Sequence, residues 1–130
     1  MNILVVDDIT ITRALLRQML AGKHTVMEAA TVKDAVAILR STEIHLVITD
    51  FTMPDGDGIA VLEAAANGII KTSPVILFTA STEDRILSFA RGAGFAKVLN
   101  KPLSAERIEE MLAVCANSEL VAKEKEGSSV

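Results

Sequence analysis

The sequence predicts an α/β domain: a five-stranded parallel sheet, doubly wound, with helices on both faces. Three observations carry that prediction. Short apolar runs alternate with longer amphipathic stretches along most of the 130 residues. The runs are mostly rich in branched residues and continuous rather than alternating, as strands buried on both faces are. The stretches between them are long enough for helical crossovers, which parallel neighbours require. Half of the residues are apolar (50%), enough for a core without staples and too many for an intrinsically disordered chain.

Taken in order, the first run is Ile3–Val6, followed by helical spacing at Leu15, Leu16, Met19 and Leu20. The second run, Thr25–Ala29, precedes Val32, Ala35, Val36 and Leu39; Thr31 and Asp34 form a capping box with Asp in place of Glu. The third, Leu46–Thr49, leads to Ile59, Leu62 and Ala66. The fourth, Val75–Phe78, leads through a second capping box, Ser81 with Asp84, to Ile86, Phe89 and Ala90. Leu87 falls off that face and is expected at the surface as a candidate partner contact. The fifth, Lys97–Leu99, precedes Ile108, Met111, Leu112 and Cys115, where a buried thiol is expected. Five such units make residues 1–117 one domain. Residues 118–130, with Ala122-Lys123-Glu124-Lys125-Glu126 and a Gly-Ser end, are expected to be a C-terminal helix extension and flexible tail or truncated linker.

Charge and composition exclude several function classes. There are 13 Lys and Arg against 17 Asp and Glu, a net charge of −4, which gives no electrostatic reason to bind nucleic acid or an anionic membrane. A single cysteine forbids an internal disulfide and fits a reducing compartment. No apolar run approaches the roughly 18–20 residues of a membrane span. The first residues turn acidic at Asp7 and Asp8, too soon for a signal peptide, so a cytoplasmic location is expected.

In open parallel sheets, ligands bind beyond the carboxyl ends of the strands. The polar residues that follow the runs are Asp7 and Asp8, then Asp50, Thr79, and Lys101 before Pro102. Singly each has a plain structural role: Asp8 as a helix cap, Asp50 opening a turn, Lys101-Pro102 breaking a strand. Together they put three carboxylates, a hydroxyl and an ammonium on one edge. Clustered carboxylates repel, and a hard divalent cation such as Mg²⁺ is the natural counterion. Cation, lysine and hydroxyl around one carboxylate make a site for phosphoryl chemistry, with the carboxylate itself able to become an aspartyl phosphate.

Val5-Val6-Asp7-Asp8, Thr49-Asp50-Phe51-Thr52-Met53-Pro54-Asp55-Gly56-Asp57-Gly58, Phe78-Thr79-Ala80 and Asn100-Lys101-Pro102 resemble, in order, the receiver domain of two-component response regulators. The resemblance implies the flavodoxin-like strand order 2-1-3-4-5. It implies that Asp50 accepts a phosphoryl group from a sensor histidine kinase or histidine phosphotransfer protein. Asp8 and Asp50 then bind Mg²⁺ directly, Asp7 helps through a water, and the Thr52 carbonyl adds a ligand. Thr79 and Lys101 contact the phosphoryl oxygens, the Lys101-Pro102 peptide is cis, and a downstream protein target reads the result. Two positions depart from the pattern: Val98 stands where an aromatic residue is usual, and Gly94-Phe95 replaces a Gly-Ala pair.

Such a chain catalyses only its own phosphorylation and dephosphorylation. The main rival, a small Mg²⁺-dependent aspartyl-phosphate hydrolase, wants a second carboxylate two residues after the nucleophile, where this sequence has Thr52. A flavodoxin-like cofactor binder wants a phosphate loop where Asp7 and Asp8 stand. His24 and His45 are expected at the opposite edge in structural roles. Asp55-Gly56-Asp57-Gly58 lacks the twelfth-position Glu of a calcium loop.

Overall fold

The structure, a computed structural model, describes residues 1–128, with side-chain surroundings through Ala116. The elements run β1 (Asn2–Val6), α1 (Thr10–Leu20), β2 (Thr25–Ala29), α2 (Val32–Ser41), β3 (Leu46–Thr49), β4 (Thr52–Met53), β5 (Gly56–Asp57), α3 (Gly58–Ala66), β6 (Val75–Thr79), α4 (Asp84–Ala93), β7 (Lys97–Asn100) and α5 (Ala105–Ser128). The five long strands pair in parallel in the order β2-β1-β3-β6-β7. This is the expected order, with the small antiparallel hairpin β4–β5 set between β3 and α3.

The period of two along each strand divides the core. Leu4 and Val6, Val47, and Val75 and Leu77 face one side, with Ala35 and Leu39 of α2, Val61 and Ala65 of α3 and Ala90 of α4. Ile3 and Val5, Leu46 and Ile48, and Ile76 and Phe78 face the other, with Leu16 and Leu20 of α1 and Ile108 and Met111 of α5. Two helices therefore cover one face of the sheet and three the other. Continuous apolar strands are the direct consequence, because neither face meets water.

Helix phases differ from the sequence expectation in three places. On α4, Leu87 is buried at 8% exposure and Phe89 is exposed at 61%, so Leu87 belongs to the core and offers no partner contact. Apolar residues at 86, 87, 89 and 90 cover more of the helix than the sheet can accept, and packing decides which is left outside. On α1, likewise, Leu16 and Leu20 are buried while Leu15 and Met19 are each 43% exposed. On α3, which is apolar nearly all round, Val61 and Ala65 are buried, Ile59 and Leu62 are half-buried, and Ala66 is exposed.

Caps divide similarly. Thr31 caps α2 as expected, its Oγ1 accepting from the Asp34 N–H at 3.1 Å. The Ser81–Asp84 box does not form. Helix α4 starts after Glu83 without a side-chain cap, and Ser81 Oγ accepts from the Glu83 N–H at 3.4 Å instead. Asp8 is no cap either, since Ile9 holds the position before α1. Helix α5 continues to Ser128, through most of the stretch read from sequence as an extension and tail. Residues 129–130, the end of the 118–130 stretch expected as extension and tail, lie outside the described residues. Cys115 is half-buried on α5 rather than fully buried.

Candidate functional site

Strand periodicity sets up the site. Asp7 continues the parity of Ile3 and Val5, Asp50 that of Leu46 and Ile48, and Lys101 that of Leu99, all residues on the α1/α5 side. Register does the rest. Val6 of β1 pairs with Thr49 of β3, so Asp7 and Asp50 leave neighbouring strands side by side. The Asp50 N–H donates to the Val6 carbonyl at 2.9 Å, and the Lys101 N–H donates to the Thr79 carbonyl at 2.9 Å.

The side chains converge accordingly. Asp7, Asp8 and Asp50 each bring a carboxylate oxygen within 4.8 Å of the others. Lys101 Nζ lies 2.8 Å from Asp7 Oδ2 and 3.2 Å from Asp50 Oδ2. Asp7 is only 2% exposed, and its Oδ1 accepts from the Ile9 N–H at 2.9 Å. Asp50 is half-buried, with Oδ1 accepting from the Phe51 N–H at 2.7 Å. Asp8 faces solvent. Thr52, on β4, is exposed two positions beyond Asp50. Thr79 is buried, and its hydroxyl oxygen accepts from the Ser81 N–H at 3.2 Å, with no bond to Asp50 among the described residues. The Lys101-Pro102 peptide is cis.

Electrostatics show what this arrangement lacks. Burial raises the Asp7 carboxyl above the ordinary aspartate value, against the opposing pull of Lys101 and the Ile9 N–H. Burial also works against the charged Lys101, but Asp7 and then Asp50 outweigh it and hold the ammonium above the ordinary lysine value. One ammonium among three carboxylates leaves negative charge in excess. Two such charges about 4 Å apart repel by about 4 kcal/mol at an effective dielectric near 20. The donors are all hard oxygens and Asp8 is open to water, which suits an ion that keeps part of its hydration shell.

Three groups of supporting contacts were not legible in the sequence. Arg13 Nη1 donates to the Asp7 carbonyl at 2.7 Å, while its Nε and that of Arg17 meet Glu28 of β2 at 3.3 and 2.7 Å. Asn100 Nδ2 donates to the Ser81 carbonyl at 2.7 Å, linking the end of β7 to the loop before α4. Asp55 binds the N-terminus of α2. Arg13 and Arg17 stand four positions apart on α1, but their partner lies on another element, and no local pattern names it.

A family model described as response regulator receiver domain matches residues 3–113. The chain belongs to the response regulator receiver family. Among curated proteins, it is 32% identical over 111 residues to a probable chemotaxis protein CheY of Rhizobium etli, covering 83% of this chain and 86% of that one. It is 30% identical to chemotaxis protein CheY-3 of Vibrio cholerae, covering 86% and 88%. It is also 33% identical to a protein-glutamate methylesterase/protein-glutamine glutaminase of Myxococcus xanthus, where it covers 94% of this chain but spans only 35% of that protein. A CheY-like receiver structure from Methanospirillum hungatei matches with a TM-score of 0.78 at 26% identity over 96% of this chain and 97% of its own. A Francisella receiver domain shares the fold with a TM-score of 0.78 at 21% identity, covering 90% and 98%.

As a receiver, the chain is a phosphorylation-dependent signalling module. Receivers as a family bind Mg²⁺ and exchange phosphoryl groups with kinases or phosphotransfer proteins. No helix among the described residues is long and apolar enough to cross a membrane.

Proposed function

We propose that Asp50 is the phosphoacceptor of this receiver, with Asp8, Asp50 and the Thr52 carbonyl as direct Mg²⁺ ligands and Asp7 assisting through a water. The observation that carries the reading is the pair of contacts on Asp50: Lys101 Nζ at 3.2 Å on Oδ2 and the Phe51 N–H at 2.7 Å on Oδ1. They orient a largely buried but still accessible carboxylate inside the acidic cluster, whereas Asp7 is almost fully buried and Asp8 has no opposing charge bonded to it among the described residues. When bound, the cation offsets the charge of the carboxylates and the incoming phosphoryl group.

Asp50 attacks phosphorus, the P–N bond of a phosphohistidine donor breaks, and the imidazole leaves with the bonding pair. Lys101 stays beside the new acyl phosphate as the positive partner of its oxygens. Thr79 supplies a hydroxyl to the same oxygens once it releases the Ser81 N–H, so the Ala80–Asp84 loop carries the change to α4. Water later hydrolyses the acyl phosphate, and no external substrate is turned over. The donor is a sensor histidine kinase or histidine phosphotransfer protein, the reader is a downstream protein, and the setting is the cytoplasm. Residues 1–117 form the receiver unit in this reading, with 118–130 as its extension.

Incubation with a small phosphodonor and Mg²⁺, followed by intact-mass measurement, tests the assignment. The native chain gains one phosphoryl group and Asp50→Asn gains none. An equal gain by Asp50→Asn overturns the reading.

A further inference from the structure

The hairpin that carries Thr52 has few ladder contacts of its own. Strands β4 and β5 pair only Thr52 with Asp57 and Met53 with Gly56, and so short a hairpin is not stable alone. Its base is fixed: the Gly58 N–H donates to the Phe51 carbonyl at 2.6 Å, and Asp57 Oδ1 caps α3 through the N–H groups of Ile59 and Ala60 at 3.0 and 3.1 Å. Met53 anchors one strand in the core. Its tip is tied to a different element. Asp55 Oδ1 accepts from the Val32 N–H at 2.8 Å and Oδ2 from the Lys33 N–H at 3.0 Å.

These are the first two residues of α2, whose N-terminal N–H groups have no partner within the helix. The third N–H is taken by Thr31. A carboxylate at this pole also meets the positive end of the helix dipole, and the two N–H groups hold the Asp55 carboxyl below the ordinary aspartate value. Gly56 permits the close approach: a Cβ there would stand 3.1 Å from Val32 Cγ2.

We propose that Asp55 is a positioning residue for the Mg²⁺ site. By clamping the hairpin tip to the N-terminus of α2, it fixes the backbone of Thr52, whose carbonyl no substitution can remove. The proposal rests on the reading above that Asp8, Asp50 and the Thr52 carbonyl hold the cation. A residue that only capped α2 would stabilise the helix as Thr31 does and leave the cation indifferent. A clamp makes cation affinity depend on Asp55 and not on Thr31.

Mg²⁺ is titrated into the folded native chain and its variants, with the dissociation constant read by calorimetry and by amide shifts. Thermal midpoints are measured alongside. Asp8→Ala weakens binding tenfold or more, since losing even a partner that only orients a ligand costs about that much. Asp55→Ala weakens it about fivefold, the scale of a lost cap. Asp55→Asn, which keeps one accepting oxygen and insulates the test against misfolding of the alanine variant, weakens it about twofold. Thr31→Ala lowers the thermal midpoint comparably and leaves Mg²⁺ affinity unchanged. Native affinity in both Asp55 variants alongside a weak Asp8→Ala overturns the clamp and spares the site. Equal weakening by Thr31→Ala and Asp55→Ala overturns it as well. Native affinity in Asp8→Ala overturns the site assignment, and the clamp with it.

Discussion

Both ends of the sheet gather titratable groups, and they use them in opposite ways. At the amino-terminal edge, His45 Nδ1 accepts from the Asn2 N–H at 2.9 Å, the Asn2 side chain donates to the Glu43 carbonyl at 2.8 Å, and His24 Nδ1 lies 3.3 Å from the terminal amine. Each contact joins a polar side chain to backbone or terminus, closing off loose ends of the fold. At the carboxyl-terminal edge, three carboxylates meet one ammonium, and Asp8 is left facing water. A site is thus marked less by polar residues as such than by charge that the fold gathers and does not neutralise. Among the described residues no buried side-chain nitrogen or oxygen lacks a partner, so the imbalance is one of charge, not of unmade hydrogen bonds.

The largest effect that sharpens this contrast is metal removal. Excess chelator abolishes phosphoryl incorporation from a small donor, as measured by intact mass, while His24→Ala and His45→Ala retain it in full. Undiminished incorporation in chelator would remove the charge argument altogether. Next, Asp8→Ala raises the Mg²⁺ dissociation constant tenfold or more, and Asp7→Ala raises it less. Asp7 is already engaged by Lys101 and the Ile9 N–H, so a reversed order in calorimetric titration would break the assignment of direct and water-mediated roles.

At the other edge, His45→Ala removes the acceptor for the Asn2 N–H. The expected loss is about 1 kcal/mol of unfolding free energy by urea titration, the net value of one hydrogen bond, with Mg²⁺ affinity unchanged. A shift in Mg²⁺ affinity would show that the two ends are coupled through the sheet.

The smallest effect is the acid limb of Asp55. Its folded carboxyl lies below the ordinary aspartate value, so the unfolded state binds the proton more readily. The stabilisation is complete above that value and is lost as pH falls through the lower native one. The native chain therefore loses stability more steeply than Asp55→Asn below about pH 4, read from urea midpoints on a pH series. Parallel curves would mean that the clamp does not form in solution.

Local sequence marks the five strands of the parallel sheet and the residues at their ends, though not the β4–β5 hairpin, and the strand order comes by resemblance. Continuous branched runs and a residue change at each run's end are local signals, and strand parity carries them straight into Asp7, Asp50 and Lys101. The roles proposed for them come from motif likeness. The remaining features depend on contacts between distant elements. The rotation of α4, which buries Leu87 and exposes Phe89, depends on which part of an over-wide apolar face the sheet accepts. The missing cap at Ser81 depends on where the loop from β6 can begin a helix. The attachment of Asp55 to α2 spans more than twenty positions, and a turn-rich Asp-Gly-Asp-Gly segment gives no sign of it. Local chemistry fixes periodicity and caps within one element, but the phase of a helix and the partner of a loop carboxylate are set by what packs against them.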